Sequence, residues 1–234
     1  MKNNNPTISI IIPVLNEEDH IGDLISYIHK NSTSENISEI LVIDGGSLDN
    51  STLVAKSAGA IVLHSKKGRA KQMNFGASNA NGDILYFLHA DTLPPKNFDH
   101  HIINAITEKY EAGCFQMKFD SDNWILRIFA WFTKYKHKIC RGGDQSLFIS
   151  TALFKKTKGF NEDYIIFEDN EFIGRLYKKT SFKILPFHVE TSARKYRKHG
   201  VVKLQYHFGV IHLKNYLGAG PEKLYDYYKR KIAI

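Results

Sequence analysis

Ile8–Glu18 reads ISIIIPVLNEE, and Glu39–Asp49 reads EILVIDGGSLD. In each, a short β-branched apolar run stops at polar residues. A continuous run, rather than an alternating one, is what a strand buried on both faces requires. Ile8–Ile12 and Ile40–Ile43 are therefore expected strands, with Pro13 ending the first. Between them Ile21, Leu24, Ile25 and Ile28 fall on one helical face. Downstream come a third strand at Ile61–Leu63, a helix over Ala70–Ala80 and a fourth strand at Ile84–Leu88. Strand and helix alternating at this spacing give parallel βαβ units with right-handed crossovers. The expected fold class is α/β, a Rossmann-like, mainly parallel mixed sheet flanked by helices.

The second half is less regular. Phe98, Ile102, Ile103 and Ile106 mark an amphipathic helix, Ala112–Phe119 and Gln145–Ile149 read as strands, and Glu168–Lys178 reads as a helix. Trp124–Tyr135 carries Trp124, Ile128, Trp131 and Tyr135 along one stripe, widened by Ile125, Phe129 and Phe132. A stripe that wide is most simply read as packed on the core, and the alternative is contact with a membrane surface. One domain is expected over 1–234, with a nucleotide-binding half (about 6–95), an acceptor half (about 96–200) and a helical C-terminal extension (about 201–234).

The 234 residues, 43% hydrophobic and 24% charged, are enough for a full core. A net charge of +8, from 32 basic and 24 acidic residues, suits an anionic partner without choosing among phosphorylated substrate, nucleic acid and membrane. No nucleic-acid recognition motif accompanies the charge. The two cysteines, Cys114 and Cys140, show neither zinc spacing nor a disulfide framework, which fits a reducing compartment. The first six residues, MKNNNP, lack a leader's apolar core, and no run of about 18 apolar residues is present to span a bilayer. The expected location is the cytoplasm, or the inner membrane face peripherally.

In open parallel sheets ligands bind at the carboxyl ends of strands, so the residues that follow each strand are candidates. Asn16 and Glu17 present an amide and a carboxylate after the first strand, or simply an acidic first helical turn. Asp44-Gly45-Gly46-Ser47 follows the second; Asp44 can accept from a ribose or base, or brace a glycine turn in which Ser47 or Asn50 caps the next helix. Lys66, Lys67, Arg69 and Lys71 gather round Gly68 at a helix start, where backbone N–H groups and charge favour a diphosphate; the bland alternative is a solvated basic face. His89-Ala90-Asp91 follows the fourth strand and can hold Mg²⁺ or Mn²⁺, or else Asp91 caps a turn before Pro94. Glu168-Asp169-Asn170-Glu171 puts carboxylates at a helix start, either to offset the dipole or to supply a general base.

Taken in order, Ile8–Glu18, Glu39–Asp49, GRAKQMNFG (Gly68–Gly76), GDILYFLHADTLP (Gly82–Pro94), GGDQ (Gly142–Gln145), Gly159–Phe160 and FED (Phe167–Asp169) resemble family 2 glycosyltransferases. The likeness covers roughly residues 6–220 and is nearest to the small subgroup linked to radical-SAM and arsenosugar- or selenium-related gene neighbourhoods. It implies the A-type glycosyltransferase fold, a nucleotide-diphosphate sugar donor, a divalent metal (Mn²⁺ or Mg²⁺) and an acceptor that is a small molecule or lipid-linked. It further implies that Pro13, Asn16 and Glu17 line the nucleotide pocket. Asp44 would meet the nucleoside, on a turn shaped by Gly46 and Ser47, and Arg69 and Asn74 would lie near the diphosphate or ribose. Asp91 would ligate the metal as the last carboxylate of the DxD motif; His89, which the family pattern does not supply, is open to three roles: a second ligand, a donor contact, or a weakening of metal dependence. Asp169 would be the general base, and Arg194 would belong to a mobile basic loop closing over the phosphates. Two departures from the family pattern stand out: Asp44-Gly45 replaces the usual Asp-Asp, and His89 replaces the first Asp of DxD. Two other classes stay open at this point. A nucleotidyltransferase is disfavoured by the absence of glycine in Pro13–Glu18, and a non-catalytic nucleotide-binding protein by the retained Glu168-Asp169.

Overall fold

The computed structural model describes residues 5–233; the first four residues, part of the stretch read above for a leader, lie outside it. The elements run β1 (Ile8–Val14), α1 (Glu18–Asn31), β2 (Ile37–Asp44), α2 (Ser51–Ser57), β3 (Ile61–His64), α3 (Arg69–Ser78), β4 (Ile84–Phe87), β5 (Thr92–Leu93), α4 (Phe98–Thr107), β6 (Ala112–Phe119) and α5 (Trp124–Phe132). They continue through β7 (Leu147–Ser150), α6 (Thr151–Lys156), α7 (Glu168–Leu176), β8 (Phe182–Thr191), α8 (Arg194–His199), α9 (Val201–Tyr216) and α10 (Pro221–Lys231).

One eight-stranded sheet has the order β3-β2-β1-β4-β7-β6-β8-β5. Pairing is parallel from β3 through β4 and again between β6 and β8; β4–β7, β7–β6 and β8–β5 are antiparallel. The sheet is covered on both faces. Ile8, Ile10 and Ile12 of β1 pack with Ile21, Ile25 and Ile28 of α1 and Phe98 and Ile102 of α4. Ile11 points the other way, into a cluster with Met73 of α3 and Phe172 and Ile173 of α7. That two-sided burial is why the strands read as unbroken apolar runs.

Pro13 does not end β1 as expected. The strand continues to Val14, with Pro13 paired to Ile43 of β2, but β4 has already left β1 after Phe87. With β2 as its remaining neighbour, the strand tolerates a residue that lacks an N–H. The strand β8 was not anticipated, because Pro186 and Phe187 interrupt its pattern. Pairing with β6 jumps from Phe115↔Leu185 to Gln116↔His188, a bulge that absorbs both residues and upsets the period-two signal.

Helix α3 approaches the sheet closely through Gly76, where an added Cβ would lie 2.5 Å from Ile11 Cγ2 and 3.0 Å from Ile43 Cγ1. Gly76→Ala should therefore destabilise the fold by about 1–3 kcal/mol through overpacking, despite alanine's better helix propensity. A thermal melt checks this, and an unchanged or raised midpoint would contradict the packing described. A third cluster joins Leu126 of α5 to Tyr196 of α8, Leu204 and Ile211 of α9 and Leu224 of α10.

Candidate active site

The β1–α1 corner and the turn after β2 are laced into one unit. Asn16, in left-handed conformation (φ 56°), donates its N–H to Ser47 Oγ at 2.9 Å and accepts from Leu48 N at 2.8 Å through Oδ1. Glu17 N donates to Ser51 Oγ at 2.7 Å. Asp44 is buried: Gly46 N and Ser47 N each donate to it at 3.0 Å, and His64 Nδ1 lies 3.2 Å away. Burial alone would raise the Asp44 pKa, but the Ser47, Gly46 and His64 hydrogen bonds outweigh it and hold the group below the usual carboxylate value. Both Asp44 oxygens thus hold the turn. Gly46 has φ 96°, a conformation that a side chain would strain. Neither Ser47 nor Asn50 caps α2; Asp49 Oδ1 accepts from Ser51 N instead.

Helix α3 starts over the same edge. Gln72 Nε2 donates to Val14 O at 2.8 Å and to Ile43 O at 2.7 Å, pinning the first turn to the ends of β1 and β2. That places the exposed Arg69 over the carboxyl edge, with Nη1 3.3 Å from Glu168 Oε1; Lys66 and Lys67 are exposed as well. Asn74 lies beyond the first turn and is used elsewhere. It donates to Phe160 O at 2.9 Å and Glu162 Oε1 at 3.0 Å and accepts from Phe160 N at 2.9 Å. Its amide thereby clamps α3 to the loop before α7.

The end of β4 carries His89, which is buried, and Asp91. The short β5–β8 pairing runs beside them, with Thr92 opposite Thr191 and Ser192 N donating to Asp91 O at 3.1 Å. The same segment delivers Arg194, whose guanidinium forks onto Glu17 at 2.5 and 2.9 Å and reaches Asp91 Oδ2 at 3.4 Å. The Glu17 hydrogen bond, with the charges of Glu17 and Asp91, raises the Arg194 pKa against the effect of burial. Arg194 is the first residue of the short helix α8.

At the start of α7, Glu168 and Asp169 are both buried, and Glu168 Oε2 has no hydrogen-bond partner among the described residues. Burial, and then the neighbouring Glu168 charge, push the Asp169 pKa well above the usual carboxylate range, while His89 and Arg69 oppose the rise. Burial works against the Arg69 cation, but Glu168, Asp169, Asp144 and Asp91 outweigh it and raise its pKa. The Arg69 guanidinium is thus paired with the start of α7 and feels the charge of Asp91 after β4.

Asp144 is the group that strand-end reasoning missed. Its Oδ1 lies 3.5 Å from His89 Nδ1, with the side chain half exposed. Burial pushes its pKa up, but His89, Lys195 and Arg69 pull it down further; the solvent on its open side weakens these pulls. Strand-end reasoning looks for residues that follow strands, whereas β7 runs antiparallel to β4 with Leu147 opposite Phe87. Residues preceding β7 therefore sit at the same edge as residues following β4. An acid in the glycine-flanked turn before an antiparallel strand was the available signal.

Among the described residues no three His, Cys, Asp or Glu side chains gather as a closed metal cage. Asp91 stands as a single carboxylate, and Asp144 at Nδ1 of His89 leaves Nε2 as that ring's ligating nitrogen. A hard cation that takes most of its oxygens from a diphosphate and water fits such a sparse set.

The family model described as "Glycosyl transferase family 2" matches residues 9–184, most of the chain and every element built above up to β8. The chain belongs to glycosyl transferase family 2. Among curated proteins, this family 2 member is 27% identical over 129 residues to the undecaprenyl-phosphate 4-deoxy-4-formamido-L-arabinose transferase of Proteus mirabilis, covering 51% of this chain and 40% of that protein. It is 34% identical over 100 residues to the glucosyl-3-phosphoglycerate synthase of Mycolicibacterium paratuberculosis, covering 38% and 30%. The chain thus spans less than half the length of these relatives. Among solved structures, S. aureus TarS in complex with UDP matches with TM-score 0.67 at 18% identity, covering 80% of this chain and 60% of that one. Glucosyl-3-phosphoglycerate synthase from Mycobacterium tuberculosis, in complex with Mn²⁺, uridine diphosphate and glucosyl-3-phosphoglycerate, matches with TM-score 0.60 at 16% identity, covering 78% and 70%. At these identities the likeness shows the fold, which is that of the A-type glycosyltransferases.

Proposed function

We propose that this family 2 chain transfers a sugar from a nucleotide-diphosphate donor to an acceptor hydroxyl, inverting the anomeric carbon. The observation that carries the reading is the set of pairs at the strand ends: Arg69 with Glu168, Arg194 with Glu17 and Asp91, and His89 with Asp144. Pro13, Asn16, Glu17 and the Asp44–Ser47 turn form the nucleotide end, with Asp44 acting through the turn it holds. The nucleotide half (about 6–95) supplies most of these groups, the acceptor half (about 96–200) supplies Asp169, and the remainder (about 201–234) is the helical extension.

Asp91, with His89, would hold Mn²⁺ or Mg²⁺, which when bound supplies positive charge to the leaving diphosphate. Arg69 and Arg194 add fixed charge at the same place. Arg194, now paired with Glu17 and Asp91, would exchange those carboxylates for phosphate oxygens. Asp169 takes the proton from the acceptor hydroxyl as that oxygen bonds to the anomeric carbon, and the bond to the diphosphate breaks with its electron pair leaving on phosphate. Glu168 is left out of the proton transfer because its Oε1 is paired with Arg69 Nη1 at 3.3 Å.

The acceptor is a small molecule or a lipid-linked alcohol or phosphate. The likeness to the radical-SAM and arsenosugar- or selenium-associated subgroup rests on His89-Ala90-Asp91 and Asp44-Gly45-Gly46-Ser47. No helix among the described residues is long and apolar enough to cross a membrane; our reading places the chain in the cytoplasm or at the inner membrane face.

A thermal-shift screen of nucleoside diphosphates and their sugars, with and without Mn²⁺, tests the donor class. A ligand at about 100 times its Kd should add about 2.7 kcal/mol to stability, a rise of several degrees for a chain of this size. No shift with any diphosphate would count against the reading, and release of pyrophosphate instead of a nucleoside diphosphate would favour a nucleotidyltransferase.

A further inference from the structure

Helix α5 turns the wrong face outward for a core helix. Leu126 and Ala130 point inward, followed by Thr133, while Trp124, Ile128, Phe129, Trp131 and Phe132 are exposed, Trp124 by 67% and Trp131 by 51%. The exposed apolar set continues through Tyr135 and Ile139. The expectation that this stripe packs on the core is therefore overturned: its narrow small-residue side is enough to seat the helix. Arg127, Lys134, Lys136 and Lys138 are exposed among the aromatics, and Lys134 Nζ lies 3.6 Å from the centre of the Trp131 ring. Residues 124–143 contain no Asp or Glu.

We propose that Trp124–Ile139 docks on an anionic phospholipid bilayer. Exposed Trp, Tyr and Phe interleaved with Lys and Arg match the interfacial zone, where rings enter the headgroup layer and cations meet lipid phosphates. A two-fold contact between copies of this chain would bring the same cations face to face with no acid in the segment to pair them, so complementarity favours the lipid. The segment is also fixed to the cleft. Arg141 donates to Thr133 O and Tyr135 O, and its own carbonyl accepts from Asn170 Nδ2, the residue after Asp169. Docking thereby presents the Asp169 side of the cleft to the headgroups; this last step rests on the transferase reading, and the docking itself does not.

The experiment adds vesicles of phosphatidylcholine, with or without about one-third phosphatidylglycerol, to the full chain and follows co-sedimentation and intrinsic tryptophan emission. The chain has only two tryptophans, Trp124 and Trp131, both on α5, so the emission reports this helix alone. We expect binding at least about tenfold tighter to the anionic vesicles, weakened by high salt, with a blue shift of emission. Lys134→Glu with Lys138→Glu should lose most of that binding. Asp169→Asn should bind like the wild type, which separates this outcome from any failure of the transferase reading. Absence of sedimentation at low salt, sedimentation without an emission shift, or a stable dimer that Trp131→Ser dissociates would each overturn the proposal.

Discussion

Asp169→Asn should lower turnover by about 10²–10⁴-fold while leaving donor binding intact, the range expected for loss of a general base. The substitution keeps the shape of a side chain that is buried at the start of α7 and removes its basicity. Steady-state kinetics with a binding titration of the nucleoside diphosphate checks both halves. Near-wild-type turnover would take the role from Asp169.

The same group sets a pH dependence. Burial and Glu168 raise the Asp169 pKa, so the ionised base is lost on acidification at a pH well above the ordinary Asp value of about 3.9. The rate should be full above the raised pKa and fall as the pH drops through it. Glu168→Gln removes a charge that raises this pKa, and so should move the acid limb to lower pH. Movement to higher pH, or no movement, would show that a different group carries the limb.

Asp91→Asn should cost about 10²–10³-fold in kcat/KM, comparable to removing one electrostatic contact to a developing charge. The loss comes from the metal, because a neutral amide is a weak ligand for a hard cation. The Mn²⁺-dependent part of the thermal shift with a nucleoside diphosphate should disappear, whereas a shift independent of metal should remain. If the variant keeps its full Mn²⁺ response, Asp91 is not where the metal acts.

The first half of the fold was legible because β1, β2 and β4 are buried on both faces, a state that writes itself as uninterrupted Ile, Val and Leu. The residues that follow those strands, Asp44 and Asp91, could be found by position alone. What they do there could not: the two hydrogen bonds that spend Asp44 on its own turn come from backbone N–H groups, which the sequence does not display. The clamp made by Asn74 was invisible in the same way, since its partners at Phe160 and Glu162 lie 86 and 88 residues further along the chain. Asp144 was hidden by strand direction, which periodicity does not encode, and β8 by its bulge at Pro186. Helix α5 shows a further limit. Its periodicity marked the apolar face correctly but not what covers it, and the inward contact is carried by Leu126, Ala130 and Thr133, the least conspicuous side chains of the segment.

The decisive measurement is a crystal structure of the chain with a nucleoside diphosphate and Mn²⁺. The diphosphate should lie between Arg69, Arg194 and Asp91, with the Asp169 carboxylate open toward the space left for the sugar and acceptor. Nucleotide bound at another edge of the sheet, or Asp91 and Asp169 turned to separate surfaces, would contradict that arrangement.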